Sequence, residues 1–188
     1  MTTRSLVLPL ALLAPLLLSA PALADKDDKI QVPANLPVAL QVPQGEVLSF
    51  AALGVGYQIY DCKAAGLGYA WVFRAPTATL YEGDGDQDDD IIGIHYVGPT
   101  WANDHGTVVG SAVAKVAAPD PANIPWLRLT AVSHTGTGRF SKVTTVQRLS
   151  TVGGIAPAGG CDGTTVGAEA DVPYTANYFF YRLPGKDG

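Results

Sequence analysis

From residue 46 onward, apolar and polar positions alternate in short runs, and glycine, proline, asparagine and aspartate cut the runs apart. A period of two over four to eight residues, bounded by turn residues, predicts a half-buried strand. Segments 46–52, 55–61 (VGYQIYD), 69–74 (YAWVFR), 77–82 and 91–97 fit it. So do 107–116 (TVVGSAVAKV, imperfectly), 126–132, 139–149 (RFSKVTTVQRL) and 172–183 (VPYTANYFFYRL). In 126–132, Leu127, Leu129 and Ala131 share one face and Arg128 and Thr130 the other. The separators are AAGLG, GDGDQ, GPTWANDHG, AAPDPANIP, SHTGTG and GGIAPAGG. No stretch after residue 25 carries an apolar repeat of three to four residues long enough for a helix. Strands at this spacing predict an all-β domain, either a sandwich or a barrel.

The first 45 residues break the pattern. Residues 1–24 carry Arg4, an apolar run interrupted by Pro9 and Pro15, and the small-x-small site Ala22-Leu23-Ala24. These are the parts of a cleaved signal peptide, and the run is too short for a spanning helix. Residues 25–45 are charged and then proline-rich, with Pro33, Pro37 and Pro43, which predicts an extended lead-in. Residues 46–188 then form a single domain. The 164 residues after the cleavage site are enough for a real core. No later segment is apolar for long enough to span a membrane as a helix.

Export changes the reading of the cysteines. There are two, Cys62 and Cys161, both after the leader. An even count in an oxidising compartment predicts a disulfide rather than a reactive thiol or a ligand pair. The location is therefore secreted or periplasmic.

Charge narrows the partners. The chain after the leader has 17 acidic and 11 basic residues, and six of the acids (Glu82, Asp84, Asp86, Asp88, Asp89, Asp90) lie within nine positions. Without those six the balance is 11 against 11. This is a neutral protein with one acidic loop. It has no basic footprint, which excludes nucleic acid as a partner.

Taken together, GYQIYDC, YAWVFRAPTATLY, GIHYVGPTW, IPWLRL, GTGRFSKVTTVQRLSTVGGIAP, Cys161 and YTANYFFY resemble the secreted domain-of-unknown-function family 3455 of bacteria and fungi. The likeness runs from about residue 46 to 181. It implies export and one domain, with no established activity. The turn GDGDQDDD is longer and more acidic than the family pattern, and His105 replaces a small or acidic turn residue. Some fungal relatives carry dehydrogenase-like names, but no G-x-G-x-x-G stands here between a strand and a helix.

Candidate chemistry is sparse. On strand 91–97, alternation puts Ile92, Ile94 and Tyr96 on one face and Ile91, Gly93, His95 and Val97 on the other. Both faces are mainly apolar, which predicts a central strand. His95 is then either a hydrogen-bonded core residue or, with Asp104 or His105, a base or metal ligand. Trp101 would cap the core edge. Asp84, Asp86, Asp88 and Asp90 alternate as calcium ligands do, yet Asp89 stands where an EF-hand needs glycine. The alternative is a solvated hairpin tip. In YTANYFFY, Tyr174, Tyr178 and Phe180 share a face and Phe179 and Tyr181 the other; exposed rings here or at Trp101 would stack on a sugar or hold an apolar ligand. No G-x-S-x-G elbow and no phosphate loop occurs. The expectation is an exported domain that binds a small molecule, a glycan or a surface partner without catalysis and without a cofactor, calcium excepted. The alternatives are a hydrolase or lyase using His95 and Asp104, and a structural protein of the envelope or biofilm.

Overall fold

The computed structural model describes residues 30–83 and 90–185. The segment read as a signal peptide, residues 1–24, therefore lies outside the described residues, as do Asp84, Asp86 and Asp88. Eight antiparallel strands follow one another around a closed barrel. They are β1 (Val47–Ala65), β2 (Gly68–Tyr81), β3 (Ile91–Tyr96), β4 (Thr100–Asn103), β5 (Gly106–Val116), β6 (Trp126–Gly136), β7 (Thr145–Gly153) and β8 (Glu169–Arg182). Each strand pairs with the next, and β8 closes on β1 through the register Gly54↔Ala176 and Gly56↔Tyr174. Of the two architectures expected, the chain adopts the one that leaves no continuous sheet edge.

Several boundaries differ from the alternation pattern, each for a physical reason. Segments 46–52 and 55–61 are one strand, because Gly54 lets β1 pass the Tyr178 ring: a Cβ there would lie 2.5 Å from the ring. Segments 69–74 and 77–82 are also one strand, running through Pro76. Pairing of β2 with β3 begins only at Ala78↔His95, so Pro76 sits where β2 has a single neighbour and its missing N–H is tolerated. TWAN, expected as a turn, is strand β4, held by Ile94↔Ala102 on one side and Ala102↔Thr107 on the other. The start of 139–149 is a 3-10 helix, Arg139–Lys142, that delivers Phe140 to the core.

β3 is not buried on both faces as expected. Ile91, Ile94 and Val97 are exposed, whereas His95, Gly93 and Ile92 are buried. A bulge opposite Leu80 and Tyr81 shifts the register, so Ile92 and Gly93 both turn inward and Ile91 outward. In a single-layer barrel the outer face of β3 has nothing to pack on among the described residues.

The barrel is filled by side chains. At its lower end Phe140 is fully buried and packs edge-on against Phe50 and Phe180, both at 5.5 Å; those two rings stack at 4.4 Å. Leu80, Val108, Leu129 and Val146 complete the interior. A second core lies outside the barrel. The lead-in carries a 3-10 helix, Val38–Leu40, and lays Leu40 on Leu149, Phe179 and Tyr181. Gln147 fixes it by donating to the Leu40 carbonyl (2.7 Å) and accepting from the Tyr181 hydroxyl (2.8 Å). This strap explains why Phe179 and Tyr181 are buried although they face away from the barrel.

At the upper end β1 and β2 run past the rest of the wall as a hairpin. Cys62, on β1, is bonded to Cys161 in the loop between β7 and β8, as the cysteine count predicted. Trp71 adds a hydrogen bond to the Gly159 carbonyl (2.8 Å). The arm and loop are thereby tied together. Among the described residues no helix is long and apolar enough to cross a membrane.

Candidate functional site

The upper rim is lowest at the β3–β4 hairpin. Residues 69–76 of β2 and 110–116 of β5 rise above it and share no strand between them at that height. Below this notch lies a cavity of about 260 Å³. Its walls alternate in character. Phe73, Pro76, Val97, Leu127 and Leu129 supply apolar surface, and His95, Trp101, Arg148 and Tyr178 supply polar groups.

Alternation along the strands places these groups. On β7, Val146 and Arg148 face inward while Gln147 and Leu149 face the strap. On β8, Tyr174, Tyr178 and Phe180 face inward, as read from the sequence. Arg148 and Tyr178 are cross-strand partners. On β3 and β4, His95 is directly opposite Trp101, and their rings stack at 4.6 Å.

His95 is 3% exposed and its Nδ1 donates to the Thr100 carbonyl at 2.8 Å. That bond leaves Nε2 as the acceptor nitrogen of a neutral ring. Burial pushes its pKa down to about 3; the Thr100 bond opposes the shift, and the nearby Arg148 charge adds to it. The imidazole is uncharged throughout the neutral range. Tyr178 and Tyr174 join hydroxyls at 3.0 Å, and burial raises the pKa of both. Tyr60, also raised by burial, donates to the Gly154 carbonyl at 2.6 Å.

Arg148 is the unusual member. One Nη donates to the Pro125 carbonyl at 2.8 Å, while Nε is buried with no hydrogen-bond partner. The indole N–H of Trp101, 1% exposed, also lacks one. Next to the Tyr pair, the Gln58 amide nitrogen approaches Tyr174 without forming a well-aligned hydrogen bond. The cavity has a second cation on its border, Arg74, but that guanidinium is bridged to Asp61 (3.0 Å) and Glu169 (2.5 Å). No described carboxylate pairs with Arg148. Arg148 was not singled out by sequence. The available signal was VQRL in a strand whose neighbours Val146 and Arg148 must share a face.

The other sequence candidates fall elsewhere. Asp104 and His105 sit in the β4–β5 turn, three residues or more along from Trp101, which is about 10 Å of strand. They border a separate open groove of about 700 Å³ at the lower end, with Glu82, Asp90 and Arg139. The fold thus puts His95 and Asp104 at opposite ends of β4 and joins neither to the other's pocket. His105 serves its turn: its N–H donates to Asn103 Oδ1 (3.0 Å), and its carbonyl accepts from Thr137 and Gly138. Of the four calcium candidates only Asp90 is described, and among the described residues no three His, Cys, Asp or Glu side chains converge as a metal site. Trp101, Tyr174 and Tyr178 are each at most 3% exposed. They are inner-wall residues, not an exposed stacking platform, because the closed barrel turns those faces of β4 and β8 inward.

The fold and this cavity define a small, disulfide-braced, up-and-down β-barrel with a pocket of apolar and polar walls at its open end. The chain belongs to the proteins of unknown function DUF3455, whose family model matches residues 43–182. Searches of curated proteins and of solved structures return no match.

Proposed function

We propose that this is an extracytoplasmic barrel that holds a small, largely apolar molecule in the upper cavity and does not transform it. The observation that carries this reading is the pairing of a 260 Å³ cavity with two buried donors, Trp101 Nε1 and Arg148 Nε, that no protein acceptor satisfies. Buried donors are nearly always paired, and leaving one unpaired costs about 1–3 kcal/mol. A bound acceptor removes that cost. The small size suits a monocyclic ligand: 260 Å³ is the liquid volume of roughly nine waters at about 30 Å³ each.

Three features support binding over catalysis. His95 is neutral and committed to Thr100. Asp104 lines a different groove. No described carboxylate lines the cavity to act with His95. The Cys62–Cys161 bond supports an oxidising location, in keeping with the leader-like residues 1–24. The apolar interior supports a water-facing exterior, since membrane-spanning barrels are apolar on the outside and polar within.

Ligand-observed NMR tests the reading with neutral monocyclic probes, toluene and benzamide, on the disulfide-intact protein. Saturation transfer from the protein to either probe is expected at millimolar concentration. Leu127→Trp, which fills the cavity from β6, abolishes it without lowering the melting temperature by more than a few degrees. Silence from both probes, or transfer untouched by L127W, refutes the cavity as a binding site.

A further inference from the structure

From the wall chemistry, and resting on the binding reading above, we infer that the ligand is a small carboxylate: an apolar ring or chain bearing one carboxylate, with Arg148 as its counter-ion. The two cations at the cavity are not equivalent. Arg74 spends its charge on Asp61 and Glu169. Arg148 meets only neutral acceptors, the Pro125 carbonyl and the Tyr178 hydroxyl, for a guanidinium with five donors. It is placed among Tyr60, Tyr174, Tyr178 and His95, none of which carries a negative charge near neutral pH. A partly buried cation without an anion is costly in a low-dielectric interior. A carboxylate supplies the missing charge and can accept two parallel N–H bonds from one guanidinium.

The rest of the wall sharpens the choice. Trp101 Nε1 and the Tyr178 hydroxyl are further hydrogen-bonding groups on the same cavity, and Trp101 Nε1 is a donor only. An acceptor-rich head group fits them; an ammonium or a guanidinium does not. Phe73, Pro76, Leu127 and Leu129 oppose the polar groups, so a bare oxyanion such as phosphate would leave the apolar wall uncovered. A carboxylate on an apolar body satisfies both halves. His95 is a neutral ring near Arg148, so it neither repels nor replaces the cation.

Isothermal titration with benzoate, benzamide and inorganic phosphate separates the possibilities. Benzoate is expected to bind at least roughly tenfold tighter than its neutral isostere benzamide, the difference that a charge-assisted pair makes. Phosphate gives no saturable heat. Arg148→Gln removes the advantage of benzoate over benzamide measured in the same variant, while Arg148→Lys restores part of the difference. If benzamide binds and benzoate binds no tighter, the carboxylate assignment falls and the apolar cavity stands. Binding of neither compound overturns both. Phosphate binding that exceeds benzoate makes the site one for oxyanions without an apolar body, and also overturns the assignment. Should R148Q fail to fold, the benzoate-to-benzamide ratio of the native protein alone decides.

Discussion

Acid should weaken this barrel through one histidine. His95 is sealed between Trp101 and Tyr178, with ring centroids at 4.6 and 5.2 Å, and its pKa is held down to about 3. In the unfolded chain it titrates near 6.5. The folded value lies below the unfolded one. As pH falls, the unfolded state therefore takes up the proton first, and stability drains away from about pH 6.5 down toward pH 3. Between pH 7 and pH 5 the native ring stays neutral while the unfolded ring becomes almost fully charged. Integrating the linkage over that window gives a loss of about 2 kcal/mol. Tyr178, which faces the ring, does not blur the effect, since burial raises its pKa and keeps it protonated throughout. Ordinary carboxylates remain mostly ionised above pH 5. The assay is urea unfolding followed by tryptophan fluorescence at pH 7, 6 and 5, with native protein and His95→Gln side by side. The variant is expected to be less stable at pH 7, having lost the stacked ring, but its stability should fall by about 2 kcal/mol less on acidification. His105 and His134 are present in both proteins and cancel in that difference. Two curves that descend in parallel would refute the account of His95 as a buried neutral ring.

The Cys62–Cys161 bond spans 99 positions. Replacing both cysteines by serine is expected to cost roughly 4–5 kcal/mol of unfolding free energy by the chain-entropy argument. Equilibrium denaturation measures it, and a loss below about 1 kcal/mol would mean that the unfolded chain is already constrained. Leu40 lies outside the matched family segment yet is fully buried on β7 and β8. Leu40→Ala should lower stability by about 2–4 kcal/mol in the same assay. It should also raise the fluorescence of a dye that binds exposed apolar surface, because Phe179 and Tyr181 lose their cover. An unchanged melting point would show that the strap does not stay on the barrel in solution.

Local pattern determined a large part of this molecule. Alternation marks strands because successive side chains point to opposite faces, and it correctly divided YTANYFFY into Tyr174, Tyr178 and Phe180 against Phe179 and Tyr181. The two cysteines announced their bond, since an even pair in an oxidising setting has few other fates. The motif set carried the family, which needs only the order of residues along the chain. What alternation could not say is what lies beyond each face. The outer face of β8 is buried because a strap from residues 30–42 crosses it, and the outer face of β3 is exposed because no described segment does. Both are contacts between segments far apart in sequence. Closure, too, depends on β1 meeting β8, more than a hundred residues away. Closure made the site: it brought Arg148 from β7 to Trp101 from β4 around one cavity, whereas the β3–β4 hairpin register alone set His95 apart from Asp104. A charge is an ordinary surface residue until the wall curves and water is shut out, and only the tertiary structure decides on which side of that wall it falls.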